Sequence, residues 1–462
     1  MSYLSVLTRK SWRWNALASV IATALIAPAV IAQRPSRHVA ALDSIAESVM
    51  RAGKVPGMAV LIMKAGDTLL SRGYGYADVE NKKMVVNSSV FRIGSITKQF
   101  TAAAVLQLVE AGKLRLTDSL HLYLPTLRGP ARNATIHQLL SHTSGIPSYT
   151  ELPAFRAKAR SAILPTEMLR MIDTVALRFS HGEQWAYNNS GYYLLGLVIE
   201  RAAGVSYAAY LQRALLLPNG LRHTGYCGSP DGVAETVVGY DVEEGAMSRA
   251  GDFSMANPFA AGALCSSAQE IGGWLRTLMG GHVITAGSLQ RMLTPVSLNG
   301  GRRTAYGYGL EVTELGGRER IGHGGSIPGF DAYAAFYPES SFTVIVLTNN
   351  GSANAEAIEK TFARQLLGIA SLSIRELPLP KETLAMYVGS YRAGPGRVVV
   401  TQRGERLHVA GPVDADLAYI GDHTFVLVDE PDVKLAFRVE LDSATSIAWT
   451  SRGRTLTLPR VP

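Results

Sequence analysis

Ser95-Ile96-Thr97-Lys98 constrains this chain more than any other stretch. It stands in FRIGSITKQFTAAAVLQLVEAGKL, where apolar residues recur at helical spacing from Phe100 through Val109, so the spacing predicts a helix beginning near Ser95. Residues i and i+3 share a helix face, which lets the Lys98 amine reach the Ser95 hydroxyl. The positive end of the helix dipole favours an alkoxide-like oxygen there. A lysine held in such a positive, partly dry place can lose its proton near neutral pH and serve as a base. A plainer reading exists, since serine is a good N-cap and lysine is ordinary on a first turn. The motif occurs once in the chain, and its weight comes from two further motifs nearer the C-terminus.

Tyr187-Asn188-Asn189 lies in HGEQWAYNNSGYYLLGLVIERAAG, just before an apolar helical run from Tyr193 to Ile199. A tyrosine can carry a proton to and from a serine oxygen if nearby positive charge lowers its pKa. An asparagine offers both a donor and an acceptor, enough to bond a lysine and a substrate amide. Read alone, this is also a loop tyrosine with Asn189 or Ser190 as N-cap. His323-Gly324-Gly325 opens a third stretch, RIGHGGSIPGFDAYAAFYPESSFTVIVLTNN, whose alternation predicts two antiparallel strands joined at Pro338-Glu339-Ser340-Ser341. Glycines at a strand edge let another backbone approach closely, as a substrate amide must. The plainer reading is a glycine-rich turn with a solvated histidine.

In this order, Ser95-x-x-Lys98, Tyr187-x-Asn189 and His323-x-Gly325 resemble the serine β-lactamase and penicillin-binding superfamily, in its class C-like branch of esterases and D-amino-acid peptidases. The intervals fit, with 92 residues from Ser95 to Tyr187 and 136 more to His323. Leu139-Leu140-Ser141-His142-Thr143-Ser144-Gly145-Ile146 and Ala261-Gly262-Ala263-Leu264-Cys265-Ser266-Ser267 fit as well, and the resemblance spans roughly residues 40–370. It implies Ser95 as nucleophile, Lys98 as its proton partner and Tyr187 as the general base that later delivers the proton to the leaving group. It implies that Asn189 orients Lys98 and the substrate amide, and that His323, Gly324, Gly325 and Ser326 line the substrate. The oxyanion hole would be the backbone N–H groups of Ser95 and Ser326, each worth about 3–4 kcal/mol when removed.

Three departures bear on substrate. Where many β-lactamases have Lys-Thr-Gly, this chain has His323-Gly324-Gly325, and histidine is mostly neutral above its usual pKa of about 6.5. That favours esters, amides or D-amino-acid peptides over a carboxylate-bearing antibiotic. Asn188 replaces a commoner serine or alanine, with a side chain expected to point away. Ser180-His181-Gly182 stands where the family often has Pro-Gly, and His181 reads as a loop residue. The expectation is an exported serine hydrolase acting through an acyl-enzyme on Ser95. The alternatives are a class C-type β-lactamase and an acyl-trapping or non-catalytic binder of cell-wall fragments. The intact proton-transfer set argues against the binder.

The expected fold class is α/β (α+β). A β-lactamase/transpeptidase-like domain over 38–370 has an antiparallel sheet flanked by helices and a helical lobe inserted at about 115–285. A linker, 371–380, leads to a C-terminal domain over 381–462 with six short alternating runs, read as an antiparallel β-meander or barrel. Its opening Leu384-x-x-Tyr387-x-Gly389-x-Tyr391 resembles the lipocalin-like domain appended to some enzymes of the superfamily, for which packing is the default role. Residues 1–32 read as a cleavable export signal: Arg9, Lys10 and Arg13, then an apolar stretch from Ala16 to Ala27 and a small-residue site before Gln33. The expected destination is the periplasm or the exterior, without stable membrane insertion after cleavage.

The 462 residues, 47% hydrophobic and 18% charged, suffice for a large core. The formal charge of +8 is scattered rather than gathered into a basic, aromatic-studded patch, which excludes a nucleic-acid footprint. The expected partner is a small molecule or short peptide, with no cofactor. The ten histidines show no metal-ligand spacing, so no metal is expected. Cys227 and Cys265 are the only cysteines. An oxidising compartment allows one bridge, but the sequence does not report their proximity, and two free thiols are the expectation.

Overall fold

The structure, a computed structural model, describes residues 37–461 except 53–54, 229–231, 244–245, 371–373, 394–395, 412–414, 429–430 and 452–453. The export segment lies outside the described residues. Helix α1 (Arg37–Arg51) precedes the hairpin of β1 (Gly57–Lys64) and β2 (Asp67–Asp78). The short strands β3 (Lys83–Met84) and β4 (Phe91–Arg92) lead to a 3₁₀ turn at Gly94–Ile96 and helix α2 (Thr97–Glu110). The lobe brings α3 (Ile136–Leu140), α4 (Pro153–Arg156), α5 (Pro165–Asp173), α6 (Asn189–Ala203) and α7 (Tyr207–Leu211). Short strands β5 (Gly225–Tyr226), β6 (Tyr240–Glu243), β7 (Ala246–Arg249) and β8 (Leu264–Ser266) follow, then α8 (Ala268–Met279) and α9 (Ala286–Leu293). The chain returns through β9 (Glu311–Leu315), β10 (Arg318–Ile327), β11 (Phe330–Tyr337), β12 (Phe342–Thr348) and α10 (Ala355–Leu367).

The main sheet is antiparallel, in the order β3-β2-β1-β12-β11-β10-β9. Its central strands read as continuous apolar runs because both faces are covered. Within β1, Ala59, Leu61 and Met63 enter the core under the helical lobe, whereas Met58, Val60 and Ile62 enter the core against α1 and α10. The same period-two split recurs in β12, with Ile345 and Leu347 on one face and Val344 and Val346 on the other.

Helix α2 runs through the centre of the lobe core, with Thr97 to Leu106 all buried. Ala102, Ala103 and Ala104 keep it slim enough to be covered on every side, and Phe100 stacks on Trp274 at 4.1 Å between ring centroids. The helix does not start on a side-chain cap: Ser95 sits in the preceding 3₁₀ turn. Helix α6 is capped by Asn188, whose side chain accepts the Gly191 N–H at 2.8 Å, in place of the expected Asn189 or Ser190.

The cysteine expectation is corrected. Cys227 and Cys265 form a disulfide, with Cα atoms 5.2 Å apart. They are 38 residues apart in sequence, but β5 and β8 pair antiparallel with Gly225 opposite Cys265, and this long-range pairing brings the thiols together.

The C-terminal region is a closed antiparallel barrel: β13 (Gly389–Ala393), β14 (Gly396–Arg403), β15 (Arg406–Ala410), β16 (Ala415–Gly421), β17 (Thr424–Leu427), β18 (Lys434–Glu440), β19 (Ser443–Ser451) and β20 (Arg454–Val461). Each strand pairs with the next, and β13 closes on β20 through Ser390↔Val461 and Tyr391↔Arg460. Six of these strands are the alternating runs; β13 and β16 are additional. Leu384, Tyr387 and Tyr391 of the opening motif are buried in the barrel core, where the Tyr391 hydroxyl donates to the Tyr387 carbonyl at 2.7 Å.

Candidate active site

The cluster forms where α2, the loop before α6, the Phe259–Ala261 turn and the free half of β10 meet. Strand β9 pairs with β10 only as far as Gly322 opposite Glu311, so residues 323–327 lack a strand partner on that side. That half of β10 faces the turn holding Ser95. Two glycines permit the approach: Gly94 has φ +49°, and a Cβ there would lie 3.0 Å from the Ser326 nitrogen. A Cβ on Gly325 would lie 2.0 Å from the Ile93 carbonyl oxygen and 3.1 Å from the Ser95 nitrogen. The backbone nitrogens of Ser95 and Ser326 therefore border one small space, with Ser326 itself exposed and Ser95 part-exposed.

Lys98 is wholly buried. Its Nζ lies 2.9 Å from Ser95 Oγ, 2.9 Å from Asn189 Oδ1 and 2.8 Å from the Ala261 carbonyl oxygen. Among the described residues no carboxylate bonds it: burial is the cause that holds its pKa well below the usual lysine value. Two of its three neighbours are oxygens that only accept, so they take two N–H bonds. A neutral amine then has its lone pair left for the third neighbour, the Ser95 hydroxyl. Tyr187 completes the set by donating its hydroxyl to Ser95 Oγ at 2.7 Å. Ser95 can thus accept from Tyr187 while donating to Lys98. The tyrosine is not lowered as its place beside a lysine had suggested. Burial raises its pKa, with the Ser95 bond opposing and Glu311 adding, even though Lys98 Nζ stands 4.7 Å from its ring centroid.

The structure brings Ser95, Lys98, Tyr187 and Asn189 into direct contact and places the other candidates differently. Gly324, Gly325 and Ser326 line the backbone edge beside Ser95. His323 turns inward: 3% exposed, its Nδ1 donates to the Gly324 carbonyl at 2.6 Å, and its Nε2 pairs with the Tyr306 hydroxyl at 2.8 Å. It backs the Tyr187 ring at 6.0 Å between centroids, as a wall behind the site, and is not the solvated histidine of the plainer reading. Asn188 points away, into its cap, as expected. His181 bonds the Ser144 carbonyl through Nδ1 at 2.6 Å and braces a loop.

Sequence reasoning missed the residues that support the cluster. The Ala261 carbonyl is aimed at Lys98 by a turn in which Phe259 has φ +43° and the Ala260 carbonyl accepts from Thr101 Oγ1 at 2.7 Å. Tyr306 holds His323 in place. The signal for the turn was present in the Ala261–Ser267 phrase, but backbone carbonyls leave no letter of their own.

Residues 42–369 match the family model described as Beta-lactamase. The chain belongs to the beta-lactamase family of serine hydrolases. It is 28% identical over 414 residues to penicillin-binding protein 4* of Bacillus subtilis (strain 168), covering 84% of this chain and 91% of that protein. Among solved structures it is similar to the octameric penicillin-binding protein homologue from Pyrococcus abyssi, with a TM-score of 0.66, 27% identity, and coverage of 91% of this chain and 98% of that one. It is also similar to a D-stereospecific amidohydrolase from Streptomyces sp., with a TM-score of 0.61, 26% identity, and coverage of 72% and 99%.

Proposed function

We propose that the protein is an exported serine hydrolase that cleaves small D-amino-acid amides, esters or short peptides through an acyl-enzyme on Ser95. The observation that carries this is the bonding of Lys98: a buried amine with two acceptor-only partners and a serine hydroxyl at 2.9 Å. Neutral Lys98 takes the Ser95 proton as Oγ attacks the substrate carbonyl. The Ser95 and Ser326 N–H groups receive the developing oxyanion. Tyr187 stays protonated in the free site and hands its proton to the leaving amine or alkoxide, with the proton on Lys98 replacing it. Water then attacks the acyl carbonyl: it gives a proton to Tyr187 as Tyr187 passes its own to Lys98, and Lys98 returns that proton to Ser95 Oγ as the free acid departs.

Three features support this substrate class. His323, turned inward and bonded to the Gly324 carbonyl and Tyr306, puts no lysine-type ammonium at the position where a carboxylate would be held. The Streptomyces relative is D-stereospecific. The half-free edge of β10 suits a substrate amide laid along it. Residues 1–32, with Arg9, Lys10 and Arg13 before an apolar stretch, support export. The substrate is a small molecule or short peptide, and nucleic acid is not a partner.

The test is intact mass of the mature protein after incubation with a fluorophosphonate, a penicillin and a D-alanyl ester, with Ser95→Ala alongside and product release followed by colour. Ser95-dependent labelling with fast turnover of the ester supports the proposal. Preferred turnover of the penicillin would make it a β-lactamase, and a stable adduct without turnover would make it an acyl-trapping binder.

A further inference from the structure

His142 lies just beyond α3, at the back of the cleft, and the proposed chemistry makes no use of it. Its φ of +59° is a left-handed conformation seldom taken by a non-glycine residue. Such strain persists where the surroundings fix it, often at functional sites. The side chain is wholly buried. Two bonds run from this one residue to one short segment. The His142 carbonyl accepts the Ala186 N–H at 3.1 Å, and its ring Nδ1 accepts the Asn188 N–H at 3.4 Å. Residues 186 and 188 flank Tyr187. Between them the imidazole lies against the Tyr187 ring at 4.5 Å between centroids, with Tyr306 at 4.7 Å and Tyr192 at 5.1 Å on its other sides.

We infer that His142 is a positioning residue for Tyr187: it clamps both amides that flank the tyrosine and sets the tilt of the phenol, keeping the hydroxyl within reach of Ser95. The left-handed backbone lets one residue offer its carbonyl and its ring to the same segment. An accepting Nδ1 puts the ring hydrogen on Nε2, which is buried and has no hydrogen-bond partner among the described residues. A second proton would turn Nδ1 into a donor facing the Asn188 N–H. Burial acts against that proton, and so would any positive charge on Lys98 or His323; the other ionisable groups around the ring are Tyr187, Tyr192 and Tyr306, which are neutral when protonated. An aliphatic residue would fill the space but hold only one amide.

The catalytic consequence rests on the proposed role of Tyr187; the clamp itself does not. The test compares His142→Gly with His142→Asn. Both tolerate the left-handed backbone, and asparagine alone keeps an acceptor near the place of Nδ1. The clamp predicts faster hydrogen exchange in the peptide spanning residues 184–190 for His142→Gly, and restored protection for His142→Asn. It predicts a fall in kcat of about 100-fold for His142→Gly on the best ester, with KM little changed, since a small misplacement costs that much. Asparagine recovers most of that loss, and in a Tyr187→Phe background His142→Gly costs nothing further. Equal exchange in all three proteins, equal losses for glycine and asparagine, or a loss that multiplies with Tyr187→Phe would overturn the inference. If the wild type turns over no substrate and takes no label, the proposed chemistry fails, and the exchange arm still decides the clamp.

Discussion

Lys98 and Arg320 are both buried basic side chains in the hydrolase domain, and the protein keeps them in opposite ways. Arg320 starts on the same strand as His323, three residues earlier, but faces the core against α10. Its Nε and Nη2 donate to Glu359 at 3.0 and 2.5 Å, its Nη1 to Glu356 at 2.9 Å, and its guanidinium lies 4.1 Å from the Tyr333 ring centroid. Burial acts against its charge; Glu359, Tyr333 and Glu356 more than offset that, and its pKa stands well above the usual value. Lys98 has neutral oxygens only, so burial alone decides and its pKa is low. The same desolvation thus yields a structural tie where carboxylates accompany the basic group and, where they do not, an amine fit for the proposed role of base.

The contrast is most easily broken at the two residues themselves. Lys98→Met removes the proposed base and should lower kcat by about 10⁴-fold or more. Stability in a denaturant titration should hold or rise, because no partner charge is left stranded. Arg320→Met should do the reverse: it leaves Glu359 buried without its cation and costs about 3–5 kcal/mol, while the acylation rate per folded molecule stays near wild type. A Lys98→Met protein that unfolds, or an Arg320→Met protein that is stable but inactive, would undo the distinction.

The two basic side chains differed in legibility too. Ser95, Lys98, Tyr187, Asn189 and the His323 edge stand out because each sits in a short motif whose spacing is local, and the strand alternation around 330–348 was equally plain. Arg320 belongs to no motif; its partners Glu356 and Glu359 lie on α10, more than thirty residues on. The inward turn of His323 also escaped the sequence, because glycines on either side blur the period-two pattern that would assign its face. The Cys227–Cys265 bridge, the Ala261 carbonyl and the left-handed His142 depend on strands and turns meeting from distant parts of the chain. The barrel strands β13 and β16 were missed for a milder reason: Gly389-Ser390-Tyr391 and Ala415-Asp416-Leu417-Ala418 carry too few large apolar residues for alternation to show.

A smaller effect sharpens the account of how Lys98 is held. The disulfide ties β5 to β8, directly after the turn that supplies the Ala261 carbonyl. That turn is also held by Thr101 bonding the Ala260 carbonyl and by the Leu264 N–H bonding Thr97 Oγ1 at 3.1 Å. Cys227→Ser with Cys265→Ser should therefore cost about 3–4 kcal/mol, from the loop the bridge closes, yet leave kcat within a few-fold. Thermal unfolding and initial rates of the double variant separate the two. A collapse of kcat at full stability would mean that the bridge, and not α2, sets the lysine.

The pH dependence of stability reads Lys98 directly. Its folded pKa lies below the unfolded value of about 10.4. Between the two, the unfolded chain binds a proton that the folded chain does not, so stability from this group rises with pH and levels off above about 10.4. The slope approaches about 1.4 kcal/mol per pH unit within that window. Lys98→Met should remove that slope, measured as denaturant midpoints across alkaline pH, and Arg320→Met should leave it intact.

The smallest effect returns to arginine. Arg364, near the end of α10, pairs with Asp432 beside β18, so the same guanidinium–carboxylate chemistry links the hydrolase domain to the barrel. Asp432 is 45% exposed, whereas Glu359 is fully buried. Water already solvates the Asp432 carboxylate well, and Arg364, 13% exposed, keeps a bond to the Ala370 carbonyl at 3.2 Å when the pair is broken. Asp432→Ala should cost less than about 1 kcal/mol, and that cost should fade in high salt. A loss approaching that of Arg320→Met would mean that the domains depend on this contact, although the barrel has its own core of Leu384, Tyr387, Tyr391, Leu407 and Leu435. Near-neutrality would place the difference between the two arginines in burial, the same variable that separates Arg320 from Lys98.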